Sequence, residues 1–165
     1  MKFRTTLLAF SSFAFFSLVI SSCKKSNSSS SNGQFTATIG STAWSSNEPV
    51  TGLYVSNITT FELGGEYLKS GDSTAFAISF AAPFIMHAPI SSDTAAVDVG
   101  YINATTQAEY DGGGVAGHSI LTVSSWDSVN HKISGTFSGV LYNITGGSDS
   151  LVVTNGAFSS SYTVQ

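Results

Sequence analysis

Residues 118–142, HSILTVSSWDSVNHKISGTFSGVLY, carry the clearest structural signal in this chain of 165 residues. Apolar and polar residues alternate over 118–126 and again over 132–142, and the polar residues between these runs favour a turn. Alternation of this length is typical of a β-strand that buries one face. The stretch therefore predicts a β-hairpin, in which Phe137 lies on the buried face of the second strand.

Shorter alternating runs predict strands through the rest of the region after residue 34. They cover residues 35–39, 53–55, 58–63, 76–80, 97–102, 105–110, 151–154 and 157–164. Gly64-Gly65 and Asn155-Gly156 interrupt these runs and predict turns, although Asn-Gly also suits a β-bulge because it accepts positive φ. No window shows the apolar spacing of three and four that marks a helix. We predict an all-β fold: one antiparallel β-sandwich of about 8–10 strands, with an up-and-down β-barrel as the alternative.

Acidic residues outnumber basic residues in the predicted domain, residues 35–165. All ten Asp and Glu residues of the chain lie there against only Lys69 and Lys132, which gives a net charge of −8 when histidines are neutral. Such a domain repels a phosphate backbone, which argues against a nucleic-acid partner. It also repels anionic lipid headgroups, so we expect no membrane binding of the domain by charge.

The start of the chain differs in composition from the rest. Lys2 and Arg4 precede an apolar run over residues 7–20, and two serines separate that run from Cys23. A positive start, a short apolar run and small residues are the three parts of a secretory signal. The run is too short and too interrupted by serine for a transmembrane helix. Residues 1–22 are therefore predicted to be a signal peptide.

The segment Leu18-Val19-Ile20-Ser21-Ser22-Cys23 resembles a bacterial lipobox, in which a branched apolar residue stands three positions before a cysteine. The resemblance implies a lipoprotein signal peptide that is cut before Cys23, with acyl chains attached to Cys23. Because Cys23 is the only cysteine, lipidation leaves no thiol for a disulfide or a metal. Residues 24–34, KKSNSSSSNGQ, form a Ser- and Asn-rich tether with a reach of about 17–20 Å. Lys24 and the absence of an acidic run after Cys23 imply an outer-membrane anchor on the periplasmic side.

Three motifs mark the two ends of the domain: FTATIGSTAW at 35–44, ISGTFS at 133–138 and TNGAF at 154–158. Together they resemble a family of Bacteroidetes lipoproteins of unknown function, which pair an FTATINGxxW-like opening with a close of the isGTFs and TNGxF type. The resemblance implies an exported, lipid-anchored protein and brings no known activity or catalytic residue. Taken as residues alone, the motifs are strand motifs, with Phe158 and Tyr162 directed inward.

No pattern in the sequence predicts a catalytic residue, a metal ligand or a cofactor site. Glu62 and Glu66 flank Gly64-Gly65, and a pair of carboxylates at a turn can serve glycoside hydrolysis, but we interpret them as solvated strand ends. Histidines occur at three separate positions without the spacing of a metal motif. They form a metal site only if the fold gathers His87, His118 and His131 with Asp111 or Asp127.

Trp44 and Trp126 are the candidate ligand residues, because an exposed indole ring can stack on a sugar, whereas a buried one belongs to the core. The apolar, proline-bounded segment 82–89 offers a second candidate surface. If Phe84, Ile85 and Met86 are exposed together, they mark a partner surface. If they are buried, they plug one end of the sandwich, which is the interpretation we favour.

Four of the six aspartates are followed by a hydroxyl residue and then by an apolar residue or threonine. These triplets are Asp72-Ser73-Thr74, Asp93-Thr94-Ala95, Asp127-Ser128-Val129 and Asp149-Ser150-Leu151. They resemble the O-glycosylation sequon of exported Bacteroidetes proteins, which implies modification of Ser73, Thr94, Ser128 and Ser150. Turn formation by Asp-Ser explains the same triplets equally well.

The function that we expect is that of a non-enzymatic, lipid-anchored envelope lipoprotein acting as a structural or interaction module. The alternative is a carbohydrate- or small-ligand-binding β-sandwich. In either case the membrane is contacted through acyl chains on Cys23, and the protein or glycan partner is not identified by the sequence.

Overall fold

A computed structural model describes residues 33–94, 96–113 and 117–165. The predicted signal peptide, the lipobox with Cys23 and the tether as far as residue 32 lie outside the described residues. Gln34, which the sequence assigns to the tether, is the first residue of a strand.

Twelve β-strands make up most of the described residues, so the all-β prediction is confirmed. They are β1 (Gln34–Ile39), β2 (Thr42–Ser45), β3 (Thr51–Val55), β4 (Thr60–Lys69), β5 (Asp72–Ala81), β6 (Pro89–Ser91), β7 (Val97–Asn103), β8 (Ala108–Asp111), β9 (His118–Asp127), β10 (Lys132–Asn143), β11 (Ser150–Ser161) and β12 (Thr163–Val164). A 3-10 turn, Ser92–Thr94, follows β6. No helix in the described part of the chain is long and apolar enough to span a membrane.

All twelve strands belong to one hydrogen-bonded sheet. Its main order is β12-β3-β4-β5-β7-β8-β10-β11-β1-β2, while β9 pairs with β10 and β6 pairs with β9. Every pairing is antiparallel except the parallel pair of β12 and β3. Within the described residues the sheet is open, because its order ends at β12 and β2. The strand number exceeds the predicted range because β2, β6 and β12 have only two to four residues, too few to form an alternating pattern.

The sheet folds over so that its two halves face each other across one core, as in a sandwich. Phe35 of β1 stacks on Phe76 of β5, with ring centroids 6.0 Å apart, although the two strands are distant in the sheet order. Likewise Phe61 of β4 meets Tyr162, the residue between β11 and β12, edge to face at 5.2 Å. Such aromatic pairs add to the burial of apolar area that holds the halves together.

The core consists of alternate residues from the long strands, as the sequence pattern predicts. Phe137, Phe158 and Tyr162 are all buried, so their predicted inward direction is confirmed. Its largest fully buried side chains are Phe35, Phe61, Phe76, Phe80, Ile78, Leu121, Ile133 and Leu141. The core therefore depends on contacts between strands from both ends of the sequence.

Two glycine-containing pairs predicted as turns lie inside strands. β4 continues through Gly64-Gly65, because a Cβ on Gly65 would come within 2.6 Å of the Cβ of Phe35 and only glycine lets β1 pack this closely. β11 continues through Asn155-Gly156, where the register with both neighbouring strands shifts and Asn155 has a φ of 51°. The predicted hairpin turn is wrong here, and the β-bulge alternative is correct.

Candidate functional site

Three loops meet at one end of the sandwich, and we call loops 56–59, 82–88 and 128–131 the loop end. β3, β5 and β9 end there, and β4 and β10 begin there. One backbone hydrogen bond joins two of these loops, since Ala82 N donates to Thr59 O at 2.7 Å. Another joins loop 82–88 to β9, since His87 N donates to Val123 O at 2.9 Å. These bonds fix the positions of the side chains that the loops expose.

Trp126 stands beside the loop end and is held in one orientation. Its Nε1 donates a hydrogen bond of 2.8 Å to the hydroxyl of Tyr162. Its ring meets Phe61 edge to face, with centroids 6.0 Å apart, and contacts Phe84 at 5.3 Å. Because 43% of the residue is exposed, Trp126 offers a fixed aromatic surface to solvent.

Trp44 belongs to a different group of aromatic residues. Its Nε1 donates to Thr74 Oγ1 at 2.8 Å, and its ring lies edge to face on Phe35 and Phe76 at 6.2 and 4.9 Å. The half-buried ring therefore closes the core beside β1 and β5. The structure does not bring Trp44 and Trp126 together, so of the two candidates Trp126 is the better placed to meet a ligand.

The segment 82–89 combines both of the predicted alternatives. Phe84 packs against Phe61 and Phe80, with centroids 5.9 and 5.7 Å apart, and so plugs this end of the sandwich. Ile85 and Met86, the next two residues, are exposed. Because Phe84 holds the loop against the core, the two exposed side chains project from a fixed base.

The three histidines lie on two different parts of the domain: His118 is on β9, whereas His87 and His131 are in the loop end. His118 Nδ1 lies 3.1 Å from Asp93 Oδ1 on the surface, and the hydrogen bond from His118 is the main reason that the pKa of Asp93 is lowered. His131 stacks on Tyr162, with centroids 5.3 Å apart, and His87 lies in the loop end. In the part of the chain that the structure describes, no group of three or more His, Cys, Asp or Glu residues is arranged to hold a metal ion.

Glu62 and Glu66 lie on the outer face of β4, four residues apart on one continuous strand. Because Gly64-Gly65 forms no turn, the strand separates their Cα atoms by about 13 Å instead of bringing them together. Burial raises the pKa of both carboxyls, and the charge of Glu48 adds to the effect at Glu66. The structure therefore gives no support to a paired acid and nucleophile on this strand.

A pair of carboxyl groups that the sequence analysis missed lies on β7 and β8. The carboxyl of Asp98 lies beside that of Asp111, whose Oδ1 accepts a hydrogen bond of 2.6 Å from Gly113 N. Oδ1 of Asp98 is buried and has no hydrogen-bond partner among the described residues. Burial, followed by the hydrogen bond with Asp111 and its charge, raises the pKa of Asp98 to about 7. The Asp98 carboxyl therefore favours its protonated form more strongly than an exposed aspartate does.

The signal that could have indicated this pair is the glycine run after Asp111. A Cβ on Gly113 would come within 2.6 Å of the Asp98 carboxyl, so only glycine allows the backbone to cover it. The alternation of β7 does place Asp98 opposite its buried neighbours Val97 and Val99. The alternation of apolar and polar residues does not show that a loop residue, Gly113, covers the outward side chain of Asp98.

The four predicted O-glycosylation positions all lie at the ends of strands or in turns. Thr94, Ser128 and Ser150 are exposed, while Ser73 is partly buried. Turn chemistry is visible at Ser128, because the preceding residue, Asp127, accepts hydrogen bonds from Val129 N and Asn130 N at 3.0 and 2.9 Å. The hydroxyl of Ser128 takes no part in these bonds, so modification there stays a prediction.

The chain matches no protein-family model, no curated protein and no solved structure. The resemblance of its terminal motifs to Bacteroidetes lipoproteins therefore stays a prediction. Proposals for function rest on the chain's own residues.

Proposed function

We propose that the protein is a non-enzymatic lipoprotein of the bacterial cell envelope, a β-sandwich anchored through acyl chains on Cys23. It serves as a structural or interaction module at the periplasmic side of the outer membrane. The observation that carries the proposal is the place where the chain enters the fold. β1 begins at Gln34, at the end of the Ser- and Asn-rich tether, so ten residues separate the lipobox-like cysteine from the first described strand.

The physics of membrane attachment supports acyl chains as the anchor. The domain carries a charge of −8 and would not be drawn to an anionic bilayer by charge. Two or three acyl chains hold a protein firmly, whereas one gives only marginal binding. The anchor therefore decides the location, and the domain is free to meet a partner.

Replacing Cys23 by serine should abolish lipid attachment and cleavage by the lipoprotein peptidase while leaving the domain folded. The fold is unaffected because Cys23 precedes β1 by a whole tether and no disulfide depends on it. Mass spectrometry of the purified protein and membrane fractionation measure the loss of lipid, and Ser28→Ala in the tether is the matched control. A chain that starts at Ser26 behind a non-lipoprotein signal should be recovered in the soluble periplasmic fraction. Its retention on membranes after a salt wash would show that acyl chains are not the deciding anchor.

Carbohydrate binding is the second candidate function, and the geometry of Trp126 is the observation that favours it. A partly exposed indole that is fixed by a hydrogen bond and by Phe61 and Phe84 loses little entropy when it stacks on a sugar ring. In a glycan-array experiment, Trp126→Ala should abolish any binding that the parent protein shows. Trp44→Ala should retain that binding if its melting curve shows an intact fold. Equal loss in both variants would exclude Trp126 as the specific contact.

A further inference from the structure

Large apolar side chains are exposed in all three loops of the loop end. The exposed fractions are 52% for Ile58, 77% for Ile85, 37% for Met86 and 87% for Val129. Single exposed aliphatic residues are ordinary on protein surfaces, but a group at one end of a domain marks a contact surface. Trp126, whose ring is polar at one edge and apolar elsewhere, stands beside them.

The loop end is also poor in charged residues. Loops 56–59, 82–88 and 128–131 contain no Asp, Glu, Lys or Arg, and His87 and His131 are their only ionisable side chains. At their edge, Asp127 and Lys132 lie directly opposite each other on β9 and β10, so their charges compensate. The nine other acidic residues, which produce the net negative charge, lie outside the loop end.

The tether enters the domain at this same end. Gln34 of β1 pairs with Ser159, which also pairs with Ser134 of β10, two residues from the start of β10 and from the end of β11. In the sheet, β1 is three strands from β9, a distance of about 14–15 Å. If the tether has the reach of about 17–20 Å expected for a Ser- and Asn-rich coil, acyl chains on Cys23 allow the loop end to lie against the bilayer.

We propose that the loop end is a second membrane contact, in which Ile85, Met86 and Val129 enter the headgroup region and Trp126 lies at its boundary. Three observations point to a lipid surface: the exposed aliphatic side chains, the absence of net charge and the entry point of the tether. The proposal rests on the lipid anchor proposed above. The loop-end contact supplements the acyl chains and sets the orientation of the domain. Without the acyl chains, the loop-end contact is too weak to hold the protein on a membrane.

Fluorescence of Trp126 on vesicles tests the proposal. The acylated protein with Trp44→Phe has Trp126 as its only tryptophan, since the chain contains two. It is bound to phosphatidylethanolamine–phosphatidylglycerol vesicles that carry a bromine-labelled phospholipid. The expected result is a blue shift of the emission and quenching by the label. The double variant Ile85→Ser, Met86→Ser should lose most of both effects, whereas Val152→Ser, an exposed position on β11, should retain them.

Flotation of the same samples distinguishes the proposed membrane contact of the loop end from the proposed attachment through acyl chains on Cys23. Protein that floats with the vesicles but shows neither quenching nor a blue shift would overturn the loop-end contact and leave the anchor intact. Protein that does not float would overturn the anchor itself. If chemical cross-linking on the vesicles gives dimers that disappear in the double variant, while the label does not quench Trp126, then a second copy occupies the loop end and the lipid proposal is wrong.

Discussion

Replacing Phe137 by alanine should lower the free energy of unfolding by about 3–5 kcal/mol. Phe137 of β10 is 3% exposed, and its ring lies 5.2 Å from that of Phe35 and 5.6 Å from that of Phe76. Its side chain thus joins the two halves of the folded sheet, and its loss leaves a cavity that fixed aromatic neighbours cannot fill. Gly156 adds to this rigidity, because a Cβ there would come within 2.7 Å of the Phe137 ring.

Urea denaturation and the melting temperature measure this loss. Domains of ordinary size are stable by only about 5–15 kcal/mol, so the variant should be partly unfolded under mild denaturing conditions. Tyr142→Ala is the matched control, because Tyr142 is an aromatic residue on the same strand whose side chain is exposed. The control should lose less than about 1 kcal/mol. Equal losses in the two variants would show that Phe137 does not join the halves as described.

Replacing Asp98 by asparagine should make the domain more stable above pH 7 and leave it nearly unchanged near pH 4. The pKa of Asp98 in the folded protein is raised from 3.8 to about 7, mainly by burial and then by Asp111. The folded state therefore binds more protons than the unfolded state between these two values, and its stability falls as pH rises through that range. Asparagine carries no charge at any pH, so the stability of the variant does not fall through the ionisation of this side chain as pH rises.

The expected gain is about 2–4 kcal/mol above pH 7, after allowance for partial exposure of Asp98 and for its coupling to Asp111. Melting temperatures measured from pH 4 to 8 give the two curves, which should converge at the acid end. Asp72→Asn, at the exposed start of β5, is the control and should follow the parent protein. Parallel curves for Asp98→Asn and the parent would contradict a raised pKa at this position.

The strands of this fold could be predicted because each long strand buries one face. Apolar and polar residues therefore alternate along its sequence. The hairpin over 118–142 is found almost to the residue, and Phe158 and Tyr162 are buried as predicted. The turn predicted at Gly64-Gly65 is wrong, and at Asn155-Gly156 the bulge alternative is correct and the turn alternative is wrong, for a common reason. What decides whether Gly65 or Gly156 turns or extends is a side chain from another strand, Phe35 or Phe137, and a local pattern carries no information about it.

The candidate site was less predictable than the fold. Ile85 and Met86 are exposed because the side chain of Phe84 packs into the core and holds the loop there. The sequence of three consecutive apolar residues does not indicate which of the three side chains is buried. The pairing of Asp98 with Asp111 depends on the register of β7 and β8 and on a loop that covers them. Both features arise from tertiary packing, which alternation does not describe.

The pairing of β1 with β11 has a consequence for how the protein reaches its final state. Gln34 at the start of β1 bonds to Ser159, 125 positions later, and β1 has only the short β2 on its other side. A sheet with such distant partners folds slowly. The entropy of closing a long loop is lost before the contacts between the paired strands stabilise the fold. β1, the first strand of the described residues, can therefore complete its pairing with β11 only when nearly the whole domain is available.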